Sequence, residues 1–144
     1  MMQVRSVEVT AIEAKRLVKQ GERLPNVRID NNSTILSVSR GEGDTANIDF
    51  RFSVNYSGIG YIKIEGGLQV EGGVDPLIAE WTKTGNMPTE EANVVHNVIL
   101  SNCMVSAVLL AREIKLMPPI PMPRVQLQKQ QPGKHATSSG MEVA

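Results

Sequence analysis

Aromatic side chains are scarce in this chain: one Trp, two Tyr and two Phe make up 3% of its 144 residues. Base-stacking platforms depend on such rings, so a single-stranded nucleic-acid surface is a poor reading of the composition. An excess of one charge is missing as well, with Lys+Arg and Asp+Glu each numbering 15. Without a basic field, phosphate backbones bind weakly at cellular salt, and no nucleic-acid partner is expected. Cysteine occurs once, at Cys103. One thiol makes neither an intrachain disulfide nor a Cys-rich metal site, and it suits a reducing, cytoplasmic setting. The opening Met-Met-Gln-Val-Arg-Ser is followed by mixed charged and apolar residues, where a secretory signal has an uninterrupted apolar centre. No export address is expected from it.

Only one long run lacks formal charge, from Ala92 to Ala111, and it carries Asn93, His96, Asn97, Ser101, Asn102 and Ser106. Each of these is costly in lipid, so the expectation is a buried helix and no membrane insertion.

What is present reads as one α+β domain, the length being too small for two independent cores. Ile48, Phe50, Phe52, Val54 and Tyr56 alternate with Asp49, Arg51, Ser53 and Asn55, a period of two that places apolar side chains on one face of a strand. After Ser57-Gly58-Ile59-Gly60 the alternation resumes at Ile62, Ile64, Leu68 and Val70, which predicts an antiparallel hairpin. Gly66-Gly67 inside the second arm implies a bulge, a bend or a close backbone approach. Two earlier segments, Val4 to about Arg16 and Val27 to Val38, favour β-branched residues and complete a four-stranded antiparallel sheet in meander order. The first of them has two readings: one long strand, or a strand followed by a helical turn over Ala11 to Lys19, where good helix formers gather.

The second half changes period. Gly72-Gly73 and Pro76 lead into a short crossover helix around Leu77 to Trp81. Pro88 with Glu90 and Glu91 then marks the entrance of one long C-terminal helix, since proline presets φ and the helix dipole favours carboxylates there. That helix is expected to run to about Met117 and to stop at Pro118-Pro119, in a Pro-rich exit that lies over the fold as a stiff segment. Between Val98 and Ala111 it is apolar on more than one face, and one small sheet covers only one side. At ~25 cal/mol per Å² of apolar area, leaving several such side chains in water forgoes several kcal/mol. We therefore expect a homo-oligomer with Val98, Val105 and Leu109 in its interface. Residues 1–127 form the domain in this reading, and Gln128 to Ala144, rich in polar residues, form a mobile tail.

Candidate catalytic groups are few. His96 and Cys103 share a helix face, but two turns separate them by ~10 Å, too far for direct proton transfer. A buried polar contact is the plainer role for them, and His135 falls in the tail. Asp49, Glu65 and Glu71 sit on the polar phase of the strands, where solvated faces explain them as well as an acid and base pair. The glycines of 41–43 and 58–60 are turns, because neither loop leads into a helix with the Lys of a phosphate loop. No metal, no cofactor and no catalytic residue is expected.

Pro25-Asn26-Val27-Arg28-Ile29-Asp30 on the second strand, Glu65-Gly66-Gly67-Leu68 on the fourth, Ala111-Arg112-Glu113 on the helix and Pro118-Pro119-Ile120 through Val125 after it follow one another in an order that resembles the SecB-type protein-export chaperones. The likeness spans roughly residues 4 to 127. It implies a four-stranded sheet backed by a helix, assembled as a dimer or a dimer of dimers, that holds unfolded or pre-export polypeptides in apolar grooves without ATP. By position, the client-binding lining falls on Leu77, Ile78 and Trp81 of the crossover, Ile62 and Ile64 of the sheet, and Met104 and Leu110 of the helix. The resemblance further implies an export motor, or a toxin–antitoxin system, as a place of use. Two other classes stand beside it: a scaffold oligomer that binds no client, and an enzyme built on His96 or a carboxylate pair.

Overall fold

The two-residue alternation from Ile48 to Val54 builds the centre of the sheet in the computed structural model, which describes residues 2–19, 21–22 and 27–120. β1 spans Gln3–Arg16, β2 Asp30–Arg40, β3 Thr45–Asn55 and β4 Gly60–Glu71. Ile48, Phe50, Phe52 and Val54 of β3 and Ile62, Ile64, Leu68 and Val70 of β4 all turn to one face and are buried there. The β3–β4 turn places Ser57 and Gly58 both at positive φ, 38° and 88°, the twist a tight hairpin needs.

All strand pairs are antiparallel, in the order β1-β4-β3-β2. Consecutive strands β2, β3 and β4 form the expected meander. β1 lies beside β4, so β1 and β2 are the two edges of the sheet. Of the two readings of the first segment, the single long strand is the one found: Ile12 pairs with Ile64 and Ala14 with Ile62, and that ladder outweighs local helix propensity. The glycine pair in β4 is also explained. Gly66 lies opposite Val9, at an irregularity in β1, and a Cβ there would collide with the Glu8 carbonyl oxygen.

Two helices cover the apolar face. α1, Asp75–Thr84, begins with proline in its first turn and ends at Gly85, whose φ of 75° closes the last turn. α2, Thr89–Glu113, carries Glu90 and Glu91 in its first turn. Its Val95, Ile99, Cys103, Ala107 and Ala111, one every four residues, form the buried stripe against the sheet. The helix ends at Glu113, short of the expected Met117, because a backbone motif ends it before the prolines do. Lys115 takes a positive φ of 56°, the Leu116 N–H donates to the Ala111 carbonyl at 2.9 Å, and the Lys115 N–H donates to Arg112 at 3.2 Å.

The exit then crosses the end of the sheet. The Arg16 guanidinium donates to the Lys115 carbonyl at 2.8 Å, the Tyr56 hydroxyl to the Met117 carbonyl at 2.6 Å, and the Asn31 amide to the Pro119 carbonyl at 3.3 Å. The segment is thereby tied in turn to β1, to the β3–β4 turn and to β2, as a strap over the fold. The remainder of the Pro-rich exit, Pro121 to Val125, lies outside the described residues, as do Pro25, Asn26, His135 and the expected tail.

Candidate functional site

The crossover between sheet and long helix is held from one residue. Asp44, in the β2–β3 turn, accepts hydrogen bonds from the backbone N–H groups of Gly73 at 2.7 Å and Val74 at 3.1 Å, and its own carbonyl accepts from Gly72 at 3.0 Å. These bonds, the Gly73 one foremost, hold its carboxyl below the usual carboxylate range. An Arg40–Asp75 ion pair ties the first turn of α1 to the end of β2. Fixed at its start, α1 leans over the β2 edge, and its last turn leaves a crevice between α1, β2 and the beginning of α2.

That crevice has a volume of about 300 Å³. Ile35, Trp81, Met87 and Ala92 supply apolar wall, while Ser33, Thr34, Asn86 and His96 supply its polar lining. Ser33 Oγ lies 2.7 Å from His96 Nδ1, joining β2 to α2 across 63 positions of sequence. Trp81, the chain's one tryptophan, is half-buried, with part of its indole surface left to solvent. A single unbranched Met beside a Trp suits a surface that repacks around different side chains. A second depression, about 340 Å³, opens on the other face of the sheet over Gly66 and Gly67, where polar side chains such as Ser6, Asn47 and Gln69 surround the missing side chains.

The seven residues expected to line a client groove fall into two groups. Ile62, Ile64 and Leu77 are no more than 1% exposed: they are core side chains that present no surface to a ligand. Ile62 and Ile64 lie on the apolar face of the sheet, which α1 and α2 close, and Leu77 is the buried side chain of α1. Ile78, Trp81, Met104 and Leu110 are half-buried, and of these Trp81 lines the crevice. Ile78, Met104 and Leu110 pack against the edge of the core. Ile35, Met87, Ser33 and His96 were not read as lining residues. His96 stands in the sequence beside Cys103 and as a candidate enzyme residue, and no sequence spacing links it to Ser33.

The outer side of α2 is a second candidate surface. Val94, Val105 and Leu109 are 43%, 64% and 56% exposed, and Val98 is half-buried between them. Their spacing keeps all four on one side of the helix, Val105 and Leu109 opposite the buried stripe and Val94 and Val98 beside it. The described part of the chain therefore does leave apolar helix surface uncovered, including Leu100 on a neighbouring side. By length and composition α2 also meets the requirement for a membrane span, and it is seated on the sheet by one face.

Reactive chemistry is weakly developed. Burial pushes the Cys103 thiol up to about 11, so it stays protonated and poorly nucleophilic at neutral pH. His96 and Cys103 do not form a pair, since Cys103 faces the core and His96 faces Ser33. Asp49 accepts from the Ser37 hydroxyl at 2.8 Å, Glu65 pairs with Arg51 at 2.9 Å and Glu71 with Arg5 at 3.3 Å. Each carboxylate thus has its own partner on the exposed side of the sheet. Among the described residues, no group of three or more His, Cys, Asp or Glu side chains is placed to hold a metal.

No protein-family model matches the chain, and no curated protein matches it in sequence. Solved structures do match in shape. A SecB-like chaperone of Mycobacterium tuberculosis, solved in complex with a ChAD peptide from the HigA1 antitoxin, aligns with a TM-score of 0.56 over 87% of this chain and 88% of that one, at 12% identity. Shared order of strands and helices over nearly the whole of both chains, at so low an identity, is a likeness of fold, and the fold of this chain is SecB-like.

Proposed function

We propose that this chain is a cytoplasmic, ATP-independent holdase, a homo-oligomer that binds unfolded or pre-export polypeptides along the crevice beside Trp81. The observation that carries this reading is the crevice itself, in which Trp81, Met87 and Ile35 supply apolar contacts within a mixed, largely polar lining, left open on a fold shared with a chaperone that was solved with a peptide bound. Extended clients would set apolar side chains against the Trp81 indole, with the half-buried Ile78 beside it on α1 and Met104 and Leu110 further along α2. The outer face of α2, with Val98, Val105 and Leu109, would meet a second copy. Hand-over to an export motor and service to an antitoxin are two uses of the same activity.

Suppression of aggregation tests it. A chemically denatured test enzyme diluted into buffer should remain in solution at a stoichiometric ratio of this protein, and Trp81→Ala should lower that protection severalfold with the assembly mass unchanged. Unaltered aggregation in the presence of the wild-type protein would remove the chaperone reading.

A second reading, a scaffold oligomer without clients, is favoured by the exposure of Val105 and Leu109, which self-association alone would cover. It expects no apolar surface accessible to an environment-sensitive dye once the oligomer has formed.

A further inference from the structure

His96 is the titratable side chain of the crevice. The residues that line the crevice come from β2 (Ser33, Thr34, Ile35), from the end of α1 and the link after it (Trp81, Met87) and from α2 (Ala92, His96), and none of the others carries charge. The charged groups on the same elements, Asp75, Glu80 and Lys83 of α1, Glu90, Glu91, Arg112 and Glu113 of α2 and Asp30 and Arg40 of β2, do not line it, and Arg51 of the neighbouring β3 is engaged with Glu65. Within the described residues the imidazole makes one side-chain hydrogen bond, from Nδ1 to Ser33 Oγ. In either neutral tautomer this leaves Nε2 for a ligand, as donor when Ser33 donates to Nδ1 and as acceptor when Nδ1 carries the proton.

We propose that His96 determines the specificity of the crevice, selecting extended apolar segments that present a backbone amide or a side-chain hydroxyl to Nε2, and that it makes binding of such segments sensitive to acid. This rests on the holdase reading and deepens it. When an apolar segment covers the crevice it strips water from the imidazole, and no carboxylate lines the site to compensate a charged ring. An apolar segment over the ring disfavours its charged form, so binding should weaken in acid.

The test is fluorescence anisotropy of a dye-labelled twenty-residue peptide of Leu, Val, Ser and Lys with a capped N-terminus, which has no group titrating between pH 5.5 and 8. The wild-type protein should bind about tenfold more weakly at pH 5.5 than at pH 7.5. His96→Gln, which retains a polar side chain, should bind with the same affinity at both pH values, and His135→Gln should keep the wild-type slope. Circular dichroism on each variant checks that the fold is retained, and His96→Asn serves if the Gln variant does not fold. A pH-independent wild type, or a His96→Gln slope equal to wild type, overturns the role of His96 while leaving the holdase reading in place. Failure of the wild type to bind at any pH overturns both.

Discussion

Gly66 of β4 and Glu8 of β1 approach so closely that there is no room for a side chain between them, a Cβ at 66 falling only 2.2 Å from the Glu8 carbonyl oxygen. This contact occurs where the register of β1 shifts between Val9 and Ala11. The irregularity bends β1 onto its neighbour, and glycine is the residue whose absence of bulk permits it. The close approach of β1 to β4 at this point thus depends on a residue without a side chain.

Gly66→Val should therefore destabilise the chain by ~1–3 kcal/mol, since the added carbons push directly on backbone that has no rotamer to change. Urea denaturation followed by circular dichroism measures it. Gly43, in a turn with open space at its Cβ position, is the control for bulk, with its positive φ of 63° taken into account by using Asn. An equal effect at both sites would refute the steric account of Gly66.

Asp44 should link the crossover to pH. Its carboxyl is held below the usual carboxylate range by the Gly73 and Val74 N–H groups, so its stabilising contribution is present above the ordinary value near ~4 and disappears as pH falls through the lower, folded value. Thermal melts of wild type and Asp44→Asn should differ by a constant interval from pH 7 to pH 5, and the interval should close in stronger acid. Hydrogen exchange at Gly73 and Val74 should accelerate in the variant at neutral pH, because their acceptor is gone.

Leu109→Lys examines the outer face of α2. The side chain is 56% exposed, so the folded subunit should tolerate the change within about 0.5 kcal/mol. If the face meets a second copy, a buried, unpaired ammonium there breaks the contact, and light-scattering mass should fall to that of a smaller species. An unchanged mass with an unchanged fold would place the assembly contact elsewhere.

Alkali should destabilise the chain through two buried groups. Burial raises the Cys103 thiol to about 11 and the Tyr56 hydroxyl to about 12. Groups raised in the folded state favour it below their unfolded values, near ~8.5 for a thiol and ~10 for a phenol, and that stability is lost as pH rises through the folded values. Melting temperature should decline from about pH 9 upward, and a thiol reagent should label Cys103 at neutral pH only after denaturant is added.

Much of the architecture was legible in local pattern. Alternation over Ile48 to Tyr56 and again from Ile62 specified a hairpin, because one face of each strand had to be apolar and the turn between had to contain glycine. The charge-free run after Glu91 specified the long helix and, since a single stripe of it suffices to cover the sheet, an exposed remainder at Val105 and Leu109. The crevice was legible only in part. Trp81 was marked out by its place on the crossover in the likeness to SecB-type chaperones, but Ser33 and Met87 carry no local signal of a site.

The sequence alone determined the number of strands, the apolar face of the central pair, the place of the two helices and the excess of apolar surface on α2, all of which follow from periods of two and of about four in neighbouring residues. Tertiary structure decided that β1 joins β4 at the far edge, that Ile62, Ile64 and Leu77 are closed into the core, and that Ser33 meets His96 beside Trp81. Those relations join positions far apart in the chain, and no local period contains them. They arise only when the sheet has chosen its order and α1 and α2 have settled on one of its faces.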